Sequence, residues 1–143
     1  MPTAGHLLKD KSGEVITISP TATILDAAQC MDKHGIGALV VVDGQSVVGI
    51  FTERDLMRRV VVKELDTQAL SVGEVMTSSV YCCQSNTRSD ALRTLMREKR
   101  IRHVPVVDEG RLVGMLSIGD LNIAHEKLHE ETILYLQQFM YQA

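Results

Sequence analysis

Displaced by 65 residues, the sequence falls into register with itself, and this duplication limits the available folds more than any other feature. Residues 31–56, MDKHGIGALVVVDGQSVVGIFTERDL, align without a gap on residues 96–121, MREKRIRHVPVVDEGRLVGMLSIGDL. Nine of the 26 positions are identical, including Val41-Val42-Asp43 with Val106-Val107-Asp108, Gly49 with Gly114, and Asp55-Leu56 with Asp120-Leu121. At 143 residues the chain holds one domain, or two small halves sharing a core.

Each copy reads as one supersecondary unit. A short strand is expected at EVITIS and again at SVYCCQ. A helix follows, opened by polar residues at 20–23 and 85–89, with Leu25, Ala28 and Met31, or Leu92, Leu95 and Met96, at helical spacing. ALVVVD-GQ-SVVGIF and HVPVVD-EG-RLVGML are hairpins by their glycine-containing two-residue turns. A last helix starts near Thr52 and near Ser117. The expectation is an α+β fold of two β-α-β-β-α units about a pseudo-twofold axis, at 8–66 and 72–129, with a helical extension at 130–143.

With five aromatics and 45% hydrophobic residues, the core must rest on Val, Ile, Leu, Met and Ala. A net charge of −3 offers no attraction to nucleic acid or an anionic membrane. Three cysteines, two adjacent, imply no disulfide framework and suit small buried apolar roles. The first residues lack a secretory pattern and no apolar run spans a bilayer, so a cytoplasmic protein without membrane association is expected.

Gly49-Ile50-Phe51-Thr52-Glu53-Arg54-Asp55 is matched by Gly114-Met115-Leu116-Ser117-Ile118-Gly119-Asp120. A hydroxyl followed three residues later by an acid caps a helix, which accounts for Thr52, Asp55, Ser117 and Asp120 without a ligand. It leaves the glycines unexplained, since glycine weakens a strand unless something approaches its backbone closely. A ligand is one such object. A carboxylate and a hydroxyl at a helix start can take ribose hydroxyls, and the N–H groups there suit anions. Arg102 and His103 either face phosphate or form, with Lys99 and Arg100, a solvated basic helix end.

The repeated I-x-x-[LV]-x-V-V-D followed by G-h-h-[TS]-x-x-D resembles the CBS domain, and two in tandem resemble a CBS pair, or Bateman module, of the small stand-alone bacterial kind. The resemblance covers roughly residues 8 to 129. It implies a regulatory sensor without catalysis, binding AMP, ADP, ATP, NAD or S-adenosylmethionine in two clefts between the halves. Asp55 and Asp120 would take ribose, and Thr52 and Ser117 ribose or phosphate. For the Asp120 cleft it implies Ile16, Thr17, Ile36 and Ala38 around adenine, with Arg102 and His103 at phosphate. For the Asp55 cleft it implies Tyr81, Cys82, Ile101 and Val104, with Arg54 or Arg58 at phosphate. Val40 stands where the second copy has the family's Pro105, and Gly37-Ala38 where it has Arg102-His103, so unequal clefts are expected, the Asp120 cleft the tighter. The likeness also implies a homodimer and a downstream protein target.

HEKLH, residues 125–129, matches the H-E-x-x-H of zinc hydrolases, with Glu126 as base. A catalytic zinc needs a third ligand and a cleft. The 14 residues after His129 contain only the neighbouring acids Glu130 and Glu131, so the motif is read as a solvated helix face and metal-dependent hydrolysis as a remote alternative. A ligand-free dimeric platform for protein docking is the nearer rival.

Overall fold

The computed structural model describes residues 2–11, 13–128, 134 and 136–140, and the sequence duplication becomes a pair of small sheets. In the first half β1 (Thr17–Ile18) pairs parallel with β2 (Ala38–Asp43), which pairs antiparallel with β3 (Ser46–Thr52). In the second, β4 (His103–Asp108) pairs antiparallel with β5 (Arg111–Ser117). Both hairpins slip register at equivalent points, between Val41 and Val42 and between Val106 and Val107. The mixed α+β architecture expected from the repeat is the one observed.

The leading strands are shorter than expected. Of EVITIS only Thr17 and Ile18 pair, and of SVYCCQ only Cys83, which donates to the Pro105 carbonyl at 3.0 Å and accepts from Val107 N–H at 2.8 Å. Cys83 is the buried residue of its segment, while Tyr81, Cys82 and Gln84 are exposed. Without an inward-facing alternation nothing holds more of that segment to the sheet.

Capping defines the helices. α1 (Ala4–Asp10) leads the chain. Thr23 opens α2 (Ile24–His34): its hydroxyl accepts the Asp26 N–H, and the Asp26 carboxylate accepts its N–H. α2 ends on Gly35 at φ 61°, and α5 (Ser89–Lys99) ends the same way on Arg100 at φ 54°. In each, the next N–H reaches back five residues, Ile36 to Met31 and Ile101 to Met96, at 3.0 Å. α3 (Glu53–Asp55) widens over Leu56–Val61, where the Val62 N–H donates to the Met57 carbonyl. α4 (Val72–Val75) lies in the connection, and α6 (Ile118–Leu128) follows β5.

The two halves exchange their leading helices. α1 precedes the first repeat but packs on the second, where Ala4 and Leu7 join Cys83, Leu92, Met96, Val104, Val106, Leu116 and Leu121. α4 precedes the second repeat but packs on the first, where Val72 and Val75 join Ile24, Ala27, Met31, Leu39, Val41, Phe51 and Val60. The hydrogen bonds repeat too: Ala4 N–H to Thr87 O and Gly5 N–H to Ser85 O in one half, Val72 N–H to Ala22 O and Gly73 N–H to Pro20 O in the other. A fully buried valine such as Val72 contributes about 1.5–3 kcal/mol. Each core is therefore closed by the segment that leads into the other repeat.

The same exchange explains the two strand glycines. A Cβ on Gly49 would fall against the Met76 side chain and lie 2.9 Å from the Thr77 carbonyl, and one on Gly114 would lie 2.7 Å from Leu8 Cδ2. What approaches the backbone is the end of an exchanged helix rather than a ligand, which corrects the inference that these glycines mark a binding site. No helix among the described residues is long and apolar enough to cross a membrane.

Candidate functional site

β3 carries Thr52 to the start of α3, and the capping box expected there is complete. The Thr52 N–H donates to Asp55 Oδ2 at 3.0 Å, and the Asp55 N–H donates to Thr52 Oγ1 at 3.1 Å. Asp55 is buried, at 9% exposure, an unusual place for a carboxylate without several partners. Two more come from elsewhere, one from the segment after α4 and one from the first half itself. Thr77 is brought there by its backbone ladder to Ile50, at 2.9 Å in both directions, and its hydroxyl donates to Asp55 Oδ1 at 3.3 Å. Arg59 Nε lies 3.7 Å from the same oxygen.

Facing this corner is the chain that leaves α5. Arg100, Ile101, Arg102 and His103 join Gly37, Ile50, Thr52, Glu53, Arg54, Asp55 and Thr77 around a cavity of about 220 Å³. The second half thus supplies one wall and the first half the carboxylate. Ile50 and Ile101 give it apolar surface, Thr52, Thr77 and Asp55 a polar corner, and Arg54, Arg100 and Arg102 positive charge. Burial holds the His103 imidazole below its ordinary pKa, assisted by Lys11 and Arg102 and opposed by Glu53 and Asp120. At neutral pH it is an uncharged hydrogen-bonding group.

The second carboxylate has the same cap and a different neighbour. The Ser117 N–H donates to Asp120 Oδ2 at 2.8 Å and the Asp120 N–H to Ser117 Oγ at 3.1 Å. Lys11 Nζ lies 2.9 Å from that carboxylate oxygen and 2.9 Å from the Met115 carbonyl. Burial pushes the Asp120 pKa up, but the Ser117 N–H, Lys11 and the Ser117 hydroxyl together hold it below the usual carboxylate value. Asp120 lines a cavity of about 360 Å³ with Lys11, Leu7, Asp10, Ile123, Ala124 and Lys127, and Lys11 also borders a wider cleft of about 720 Å³ with Ile16, His34, Ile36, Gly114 and Met115 among others.

Several expected site residues lie elsewhere. Arg102 and His103, expected with Asp120, line the Asp55 cavity, because they follow Ile101 into β4 and that strand's start faces Thr52 to Asp55, while His103 also pairs with Ser117 across the hairpin and feels the charges of Asp120 and Lys11. Tyr81, Cys82, Val104 and Arg58 are not among the described residues around that cavity. Tyr81 lies under the Lys99 ammonium, 5.3 Å from ring centroid to Nζ, and Val104 is fully buried in the second core. Cys82 and Arg58 are exposed. Ile16 and Ile36 line the wider cleft that Lys11 borders, whereas Ala38 is fully buried in β2 and Thr17 is exposed on β1. Sequence reasoning missed Thr77, Arg100 and Lys11. Lys11 carried no signal, and Thr77 sits in a segment that reads as a plain connection.

His125 and Glu126 are exposed on α6, while His129, Glu130 and Glu131 lie outside the described residues. Among the described residues no group of three or more His, Cys, Asp or Glu is placed to hold a metal.

Comparison with known proteins agrees with this architecture. The family model for the CBS domain matches residues 9–62 and 72–125. The CBS domain-containing protein CBSX3, mitochondrial, of Arabidopsis thaliana is 34% identical over 137 residues, covering 92% of this chain and 66% of that protein. The chain therefore spans just under two thirds of that relative. The crystal structure of a CBS-domain containing protein from Agrobacterium tumefaciens superposes with a TM-score of 0.81 at 42% identity, covering 86% of this chain and 98% of that one. The CBS domain pair of protein MJ0100, solved in complex with 5′-methylthioadenosine and S-adenosyl-L-methionine, superposes with a TM-score of 0.78 at 26% identity, covering 89% and 98%.

Proposed function

Since the chain belongs to the CBS-domain family as a tandem pair, we propose that it is a regulatory module that binds an adenosine-containing ligand at Asp55 and does no chemistry on it. The observation that carries this reading is the composite cavity itself: a buried carboxylate with hydroxyls beside it, apolar walls, and Arg54, Arg100 and Arg102 around the rim. Asp55 would accept the two ribose hydroxyls, one replacing the long Thr77 contact. Adenine would lie against Ile50 and Ile101, and phosphates would meet the arginines and His103. AMP, ADP, ATP and NAD share this chemistry, and S-adenosylmethionine shares the adenosine part.

The charge distribution favours the Asp55 cleft over the Asp120 cleft, the reverse of the order expected from sequence. Residues 100–103 bring two arginines and a histidine, where the equivalent residues 35–38 bring Gly35, Ile36, Gly37 and Ala38. Thr17, Ala38, Tyr81, Cys82, Val104 and Arg58 are dropped from the proposed contacts, and Thr77 and Arg100 are added.

A ligand that binds only the native state raises the melting temperature. A thermal-shift series with AMP, ATP, NAD and S-adenosylmethionine should stabilise the wild type and not Asp55→Asn. If no adenylate acts on the wild type at millimolar concentration, the sensor reading fails. A docking platform would then stand in its place, and Met57, Val61 and Val62, apolar and exposed on the first half's last helix, support that rival. The same stripe with Ile123 suits the homodimer we infer, checked by light scattering on the eluting protein. The cytoplasm is the compartment we propose, checked by cell fractionation.

A further inference from the structure

Lys11 is not a loose tail residue. It ends α1, where its N–H donates to the Leu7 carbonyl at 3.1 Å, and α1 is fastened into the second core by Ala4 and Leu7 and to the 85–87 backbone by two hydrogen bonds. Its ammonium therefore arrives at Asp120 from a fixed element and makes two contacts there, one with the carboxylate and one with the Met115 carbonyl, both at 2.9 Å. At the matching place in the first half, Thr77 offers Asp55 a neutral hydroxyl at 3.3 Å, and Arg59, the cation paired with that carboxylate, stands off at 3.7 Å. A ribose can exchange one hydroxyl for another at little cost. To reach Asp120 it must displace a charge-assisted bond held by a group tethered beside it, whose effective concentration is millimolar or higher.

We propose that Lys11 is a built-in occupant of the Asp120 cleft, closing it to adenosine ligands so that each chain takes one nucleotide, at Asp55. The proposal rests on reading the Asp55 cavity as a nucleotide site and adds why its twin is silent. It also makes α1 a latch. Whatever draws the N-terminal helix from the second half opens a second site, and a ligand entering there would push α1 outward.

Titration calorimetry with AMP and with ATP on the wild type, Lys11→Met, Asp55→Asn and the double variant tests it. The expected stoichiometries per chain are one, two, none and one. Since ligand affinity scales with the fraction of open cleft, the second site of Lys11→Met should bind at least about tenfold more tightly than that cleft does in the wild type. Lys11→Gln, one atom shorter, polar and uncharged, should behave as Lys11→Met. Two equal sites in the wild type, or one site in both Lys11 variants, would overturn the proposal while leaving the Asp55 site standing. No site in the wild type with one in Lys11→Met would sink the Asp55 reading and keep the latch. No binding by any protein sinks both. If both Lys11 variants lose their cooperative melt, Lys11 is a structural tie and the latch is refuted.

Discussion

Asp55 and Asp120 stand at equivalent points of two copies of one unit, with the same backbone N–H and the same kind of hydroxyl beneath them, yet one faces a cationic cavity and the other a lysine. The difference arises because neither cleft belongs to one copy. The Asp55 cavity takes its carboxylate from one half and a wall from the other, the Asp120 cavity is walled by α1 and α6, and each carboxylate's third partner comes from or next to an exchanged helix. Two substitutions that look local in sequence, arginines at 100 and 102 where the first copy has Gly35 and Gly37, therefore charge the cleft of the opposite copy's carboxylate. The asymmetry lies in the crossing segments, while the two cores stay alike.

The cores give the largest test of that likeness. Phe51 and Leu116 occupy equivalent positions, and both are fully buried. Phe51→Ala should cost about 3–5 kcal/mol and Leu116→Ala about 2–5 kcal/mol, read from urea midpoints with the slope unchanged. A loss confined to one of them would mean that one half carries the stability alone.

The glycines sharpen it further. A methyl on Gly49 meets the Thr77 backbone carbonyl, which cannot give way without dragging β3's partner, so Gly49→Ala should cost about 1–3 kcal/mol. Gly114→Ala meets only the tip of the Leu8 side chain, which can rotate, and should cost less than about 1 kcal/mol. Equal costs would show that Leu8 is as fixed as backbone.

Arg100 holds a left-handed φ of 54° where the first half has Gly35 at 61°. A side chain there costs about 1–2 kcal/mol, partly offset by the freedom glycine gains when unfolded. Arg100→Gly should therefore raise stability by about 0.5 kcal/mol in a thermal melt while weakening AMP and ATP binding. Strain accepted in return for a cation at the cavity is the pattern expected of a functional site. A variant that gains stability with binding intact would remove Arg100 from the site.

The last effect is alkaline. Burial first, then the charges of Cys82 and Asp108, raise the Cys83 thiol to about 11 from 9.0. A raised folded value means the buried neutral thiol contributes fully below pH 9, and that contribution fades as pH rises through 11. The urea midpoint should fall across that window. Cys83→Ile, which copies the Ile18 of the first half, should lose that component of the slope.

Much of this was legible without coordinates. The repeat, the hairpins and the capping acids follow from local rules, because turn glycines and hydroxyl-to-acid spacing act within a few residues. Thr52 with Asp55 and Ser117 with Asp120 were readable for that reason. Thr77, Lys11 and the cleft to which Arg102 and His103 belong were not, since they depend on contacts between residues as far apart as Lys11 and Asp120.

The amino-acid order alone determined that two equivalent α+β units form and that each presents an acid at a helix start. Tertiary structure decided which half closes which core, what presses on Gly49 and Gly114, and which acid keeps an open cavity. Those outcomes depend on where α1 and α4 cross over, and a crossover leaves no periodicity in the chain that makes it.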